Sequence, residues 1–218
     1  MNITHLAFDM DGVLFSSESF IGDAYEDAII RAQLKLPLPT SEAIIHQVGK
    51  PITEIFRNLF PNITAEEIAI LHKETLVSVV NMINEGRGYM YEDIPETVYE
   101  LSKKYKLFVC SNGRRKYVEA VLHYYNLEEY FQTVLTLEDL LINNKGELLK
   151  AYIKDQNNTA DNWVMIGDRR SDLNAAQYVG CQFIGCLWGH GNLDEIDEAD
   201  ILMKQPKELL QLKNKNEE

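Results

Sequence analysis

Residues 8–19 read FDMDGVLFSSES, and a short apolar run, THLA, stands before them. Two aspartates, Asp9 and Asp11, sit one residue apart where a buried strand would end. Within a strand, successive side chains point to opposite faces. Beyond the last ladder position that alternation relaxes, and both carboxylates can turn toward one spot. There they repel unless something positive lies between them. The pair is either a site or the start of a turn, because Asp and Gly are also good turn residues.

Outward from this stretch, THLAFD (4–9), KLFVCSN (106–112), TVLT (133–136) and NWVMIGD (162–168) read as strands ending at polar residues. CQFIGC (181–186) is a fifth candidate and ADILM (199–203) a sixth. Their apolar runs are nearly continuous, as in strands covered on both faces by helices. Helical segments fall between them at 94–105, 114–125, 147–156, 170–179 and 206–213. The alternation predicts an α/β fold with a Rossmann-like parallel sheet. One stretch breaks the rhythm. Between about 16 and 88 no strand is evident, whereas Ile21, Tyr25, Ala28 and Ala32 share a helical face and Thr64 with Glu67 forms a capping box. The expected organisation is an α/β core over 1–15 and 92–218, with a helical domain inserted over 16–91 and hinges near 15–18 and 88–93.

The bulk numbers narrow the function. A net charge of −13 argues against nucleic acid and anionic membranes as partners. It leaves room for small phosphorylated metabolites, since a bound cation reverses the local field. No apolar run is long enough to span a bilayer, and the N-terminal residues lack a signal-peptide pattern. Cys110, Cys181 and Cys186 are an odd, small set that suits a reducing compartment. A cytoplasmic monomer is expected, and the polar tail KNKNEE is expected to fray.

In an open α/β sheet, ligands bind beyond the carboxyl ends of the strands. The first strand ends in Asp9 and Asp11, the second in Ser111-Asn112-Gly113, and the fourth in Asp168 with Asp172 four residues on. The third leads to a loop carrying Lys145. Singly, each has a bland reading as a turn, a helix cap or a solvated charge. Together they gather carboxylates that a fold does not collect without compensation. The chemistry points to Mg2+, which takes carboxylates, waters and a phosphate. Asp9 and Asp168 would supply oxygens to it, with Asp172 direct or one step removed. One carboxylate of the first pair would attack phosphorus and the other would move protons. Ser111 would bind a phosphoryl oxygen and Lys145 would balance charge.

These residues resemble the haloacid dehalogenase superfamily of phosphohydrolases. FDMDGV (8–13) looks like its first motif, Ser111 in VCSNG like the second, Lys145 like the third and GDRRSD (167–172) like the fourth. The helical insertion after the first motif is similar to the branch with a small α-helical cap, that of phosphoglycolate phosphatase and β-phosphoglucomutase. The resemblance implies a sheet in the order 5-4-1-2-3 and a cap that closes over the site. It implies Asp9 as nucleophile and metal ligand, and Asp11 as general acid/base that binds metal through its carbonyl. Ser111 and Asn112 would bind phosphate and Lys145 would stabilise charge. Asp168 would bind the metal and Asp172 support it. Two departures stand out: Lys145 is followed by Gly146 and Glu147 where many relatives have Pro, leaving Lys150 as a rival, and Val13 stands where many have Thr.

Specificity would come from the inserted domain, where Lys50 in a Gly-Lys-Pro turn is the best candidate. His46 and His72 read as surface or packed residues, and Trp188 and His190 as rim residues. The reading is a phosphatase of a small phosphomonoester such as a sugar phosphate, phosphoglycolate or a nucleotide. The alternatives are a sugar phosphomutase and a phospho-accepting regulatory domain without turnover. The early cap stretch SESFIGDAYED has no histidine, which counts against the mutase. A receiver domain would lack the helical insertion.

Overall fold

The computed structural model describes residues 2–132, 134, 136–142 and 144–212. Its first strand, β1 (His5–Phe8), runs straight into the Asp9–Gly12 turn. After β2 (Phe15–Ser16) come four helices in succession: α1 (Ile21–Ala32), α2 (Ser41–Ile45), α3 (Ile52–Leu59) and α4 (Ala65–Asn84). Then β3 (Tyr89–Met90) and α5 (Ile94–Ser102) lead to β4 (Lys106–Val109). The rest alternates: α6 (Arg115–Tyr124), α7 (Leu137–Leu140), α8 (Lys145–Asp155), β5 (Trp163–Gly167), α9 (Arg170–Val179), β6 (Gln182–Cys186) and β7 (Ile201–Met203).

The sheet order is β4-β1-β5-β6-β7, and every pairing in it is parallel. In terms of the expected core strands this is second, first, fourth, fifth and sixth. Of the expected third strand, 133–136, Thr133 and Leu135 lie outside the described residues. Its approach is visible at Phe131, which bridges to Leu107 in parallel, and at Gln132, whose N–H donates to the Leu107 carbonyl. β1 is an interior strand, with β4 and β5 on either side.

The continuous apolar strands bury both faces, as their sequence requires. Leu6, Phe8, Leu107, Val109, Val164 and Ile166 point into one core with α5 and α6. Ala7, Phe108, Trp163, Met165 and Phe183 point into the other with α8 and α9. Burying the large strand side chains of the first face is worth about 1.5–3 kcal/mol each by transfer, before entropy is counted.

The four intervening helices form by their own local signals. Thr64 Oγ1 accepts from Glu67 N–H and Glu67 Oε2 accepts from Thr64 N–H, the reciprocal cap that starts α4. Ile21, Tyr25 and Ala28 are buried on one side of α1, and α1 packs on α4. The chain enters this segment through β2 and leaves through β3, and the two pair antiparallel, Phe15 with Met90 and Ser16 with Tyr89. The sequence carries no sign of that ribbon, because two residues a side are too short to leave an alternation pattern. Two expectations change. The expected helix 206–213 is a 3-10 helix over Pro206–Gln211, and residues 213–218 lie outside the described residues. The expected helix 147–156 begins two residues earlier, because Asn144 caps it by accepting from Glu147 N–H. No helix among the described residues is long and apolar enough to cross a membrane.

Candidate active site

β1 ends one residue before Asp9, whose N–H still donates to the Ile166 carbonyl of β5 at 2.9 Å. That bond holds the residue at the sheet's carboxyl edge. Its side chain is buried. Oδ1 accepts from Met10 N–H at 2.7 Å and lies 3.0 Å from Lys145 Nζ. Oδ2 is buried with no hydrogen-bond partner among the described residues.

Asp168 follows β5 directly and is fully buried. Its Oδ2 accepts from the backbone N–H groups of His190 (2.8 Å) and Gly191 (3.0 Å), while Oδ1 has no partner among the described residues. Asp172 lies in the first turn of α9. Its Oδ2 accepts from Asp168 and Arg169 N–H at 3.1 and 3.0 Å, and its Oδ1 accepts from Lys145 Nζ at 2.5 Å. Ligand oxygens of Asp9, Asp168 and Asp172 all fall within 4.8 Å of one another. Two of the three carboxylates thus hold a buried oxygen out of every hydrogen bond, which is costly unless something binds it. An all-oxygen donor set with two unpaired atoms fits a hard divalent cation.

The same crowding explains the protonation behaviour. Burial, then the Asp172 charge, pushes Asp168 up to about 7. Burial, with Asp172, pushes Asp9 well above the ordinary carboxylate range against the pull of Lys145. Burial alone would lower Lys145, but Asp172 and Asp9 outweigh it and hold the ammonium above the ordinary lysine value. Lys145 is therefore the cation that lets Asp9 and Asp172 stand together. The rival Lys150 is exposed one turn further on, its Nζ 5.8 Å from the centre of the Tyr178 ring and away from the cluster.

Asp11 sits two residues past Asp9 and faces elsewhere. It accepts from the Tyr117 hydroxyl at 2.6 Å. Burial raises it to about 6, against the Tyr117 hydrogen bond and the Lys145 charge. Just after it the turn tightens through Gly12, at φ +83°, where a Cβ would overlap the Asp168 carboxylate. Only glycine fits both demands.

Ser111 is buried at the end of β4, its Oγ accepting from Gly113 N–H at 3.0 Å. The Asn112 Nδ2 donates to the Gly49 carbonyl, in the turn after α2, at 2.7 Å, while its Oδ1 is buried without a hydrogen-bond partner among the described residues. Arg169, next to Asp168, donates to the Ile45 carbonyl at 3.4 Å and pairs with Glu195 at 3.0 Å. Lys50 is exposed, donates to Gln47 Oε1 at 3.0 Å and lies 3.7 Å from Glu54.

A cleft of about 120 Å3 lies between the helices and the core. Asp11, Ser111, Asn112 and Lys50 line it, as do His72, Arg114 and Tyr117. His46 is at the exposed end of α2. Trp188 anchors its loop by donating to the Val13 carbonyl, and the His190 ring is 3.5 Å from the Tyr91 hydroxyl. Sequence reasoning missed Tyr117, Arg114 and the backbone N–H groups that hold Asp168. Tyr117 and Arg114 follow Ser111 closely, at the start of α6, the only signal that could have flagged them.

A family profile described as haloacid dehalogenase-like hydrolase matches residues 6–186. The tyrosine-protein kinase PtkA of Mycobacterium tuberculosis is 23% identical over 196 residues, 88% of this chain; the chain spans 65% of that kinase's length. The pyrophosphatase PpaX of Listeria welshimeri is 28% identical over 213 residues, 95% of each chain. The crystal structure of a predicted phosphoglycolate phosphatase from Haemophilus somnus superposes with a TM-score of 0.85 at 17% identity, covering 97% of this chain and 98% of that one. With the acidic cluster at the carboxyl edge of a parallel sheet and a family match over most of the length, the chain belongs to the haloacid dehalogenase-like hydrolase family.

Proposed function

We propose that the protein is a Mg2+-dependent phosphatase that hydrolyses a small phosphomonoester through a phosphorylated Asp9. The observation that carries this reading is the split environment of Asp9, with Oδ1 fixed by Lys145 and Met10 N–H and Oδ2 without a partner among the described residues. Asp9 and Asp168 would hold the ion, with the Asp11 carbonyl as the family resemblance implies. When bound, Mg2+ neutralises charge so that an anionic phosphoryl group can approach carboxylates.

The steps then belong to the chain. A carboxylate oxygen of Asp9 attacks phosphorus, and the bond from phosphorus to the ester oxygen breaks. Asp11, raised toward neutral pH, gives its proton to the leaving oxygen. Asp11 then takes a proton from water, whose oxygen attacks phosphorus. The bond to Asp9 breaks and orthophosphate leaves. Ser111 and Lys145 hold phosphoryl oxygens and balance charge. Asp172 orients Lys145 and the loop of Asp168 through its hydrogen bonds to both. Residues 16–91 act as a cap, with Asn112 and Arg169 touching its turn from the core.

The test is phosphate release from a panel of small esters with Mg2+ or with chelator. Release that needs the metal and disappears in Asp9→Asn supports the reading. Persistent hydrolysis in Asp9→Ala removes Asp9 as nucleophile.

A further inference from the structure

The cleft has two unlike ends. At the core end stand Asp11 and Ser111; the remainder is walled by Ile21, Ile44, Ile55, Leu76 and Val79 from the helices of the inserted segment. Most of these are buried, and they belong to the continuous hydrophobic cluster of the molecule or pack against it.

The charged groups in the wall are already committed. The Lys50 ammonium donates to Gln47 and faces Glu54, and Arg114 donates to the His72 carbonyl. A leaving group with a carboxylate or a second phosphate needs a cation that is not engaged elsewhere. A polyol needs several polar partners, because each hydroxyl stripped of water must regain its hydrogen bonds. Two buried polar atoms there, the Thr75 hydroxyl and Asn112 Oδ1, have no hydrogen-bond partner among the described residues, and Asn112 lies at the core end. Beside the aliphatic wall Thr75 offers one such atom among the described residues, too few for the several hydroxyls of a sugar.

Resting on the phosphatase reading, we propose that the leaving group is a compact apolar alcohol: the substrate is a phosphate monoester of a short alkyl or aryl alcohol without a second charge. The phosphoryl group would sit at Asp9, Asp11 and Ser111, with the apolar part against Val79 and Ile55. The volume of about 120 Å3 is well above the roughly 10–15 Å3 that admits a single water, so a group of several non-hydrogen atoms fits.

The experiment measures binding separately from turnover. The Mg2+-loaded full chain is titrated calorimetrically with n-butylphosphonate, 2,3-dihydroxypropylphosphonate and phosphonoacetate. The butyl compound should bind at least about tenfold more tightly than either polar analogue, as methylene-scale pocket discrimination allows. Two shape-preserving variants should move that ratio in opposite directions. Val79→Thr puts a hydroxyl into the apolar wall and should narrow it; Thr75→Val removes one and should widen it. Equal affinities, a preference for a polar analogue, or no binding of n-butylphosphonate while inorganic phosphate binds would overturn the proposal. Absence of phosphate release from n-butyl phosphate, with the binding preference intact, would instead remove the phosphatase reading and leave the ligand class standing.

Discussion

The Lys145 ammonium lies 3.0 Å from Asp9 Oδ1 and 2.5 Å from Asp172 Oδ1, so one buried cation is shared by two carboxylates. Removing it leaves like charges side by side without compensation. Lys145→Met should therefore destabilise the metal-free protein by about 3–5 kcal/mol, the cost of orphaning a buried ionic partner. Lys150→Ala, at an exposed site, should change stability by less than about 0.5 kcal/mol. Chemical denaturation of both variants in chelator checks the contrast, and equal effects would undo the assignment of Lys145.

Stability should run opposite to the usual carboxylate behaviour. Burial raises Asp11 to about 6 and Asp168 to about 7, above the 3.8 of an unperturbed aspartate. Between the unperturbed and raised values the folded chain keeps protons that the unfolded chain has released, so stability falls as pH rises through the window. In chelator, the melting temperature should drop by several degrees from about pH 5 to about pH 8 as this linkage is lost. Added Mg2+ binds the ionised carboxylates, so it should raise the melting temperature more at the higher pH. A Mg2+ effect that is the same at both pH values would contradict the shared-ion geometry.

Tyr117 opposes the rise in proton affinity that burial gives Asp11. Its hydroxyl stabilises the carboxylate at 2.6 Å, so Tyr117→Phe should push Asp11 further up from about 6. The protonated acid then survives to higher pH. The alkaline limb of the kcat profile should move upward while kcat at neutral pH falls several-fold, as general acid/base positioning is lost. A purely structural role for Tyr117 would lower stability and leave the limb in place.

Asn112 offers a test of where its amide acts. Its Nδ2 reaches the Gly49 carbonyl across the boundary between helices and core. Asn112→Ala should weaken that contact by about 1 kcal/mol and raise KM about fivefold, with a smaller change in kcat. A large fall in kcat together with weaker inhibition by inorganic phosphate would instead assign the amide to the phosphoryl group.

Gly12→Ala combines a left-handed backbone with a Cβ placed into the Asp168 carboxylate. The strain costs on the order of 1–3 kcal/mol. Because the displaced group is a proposed ligand, Mg2+ affinity should fall about tenfold or more, as when ligand orientation is lost. Titration of the folded variant with Mg2+ measures it.

The fold was largely legible because its signals are local. The apolar runs at 4–9, 106–112 and 162–168 are strands in the structure, trimmed by one to three residues at their ends where polar groups leave the ladder. Asp9, Asp168 and Asp172 were legible because ionised groups at the ends of neighbouring buried strands repel one another unless a cation offsets them. Lys150 stayed a rival of Lys145 in the sequence; the Asn144 cap, which starts α8 at Lys145, and the ion pairs to Asp9 and Asp172 separate the two only in the structure. What stayed hidden depends on contacts across the chain. Tyr117 meets Asp11 only after folding, and the amides of His190 and Gly191 carry no side-chain signature at all. The apolar cleft was equally invisible, because helix faces that pack together and helix faces that line a cavity share one periodicity.

The sheet register carries a last consequence, for synthesis on the ribosome. His5 pairs with Lys106 on one side and with Trp163 on the other, so the strand that presents Asp9 gains its second neighbour only when about three-quarters of the chain exists. A nascent chain stopped before β5 lacks Asp168 and half of β1's ladder. Assembly of the proposed ion site is thereby deferred until β5 and Asp168 have been made.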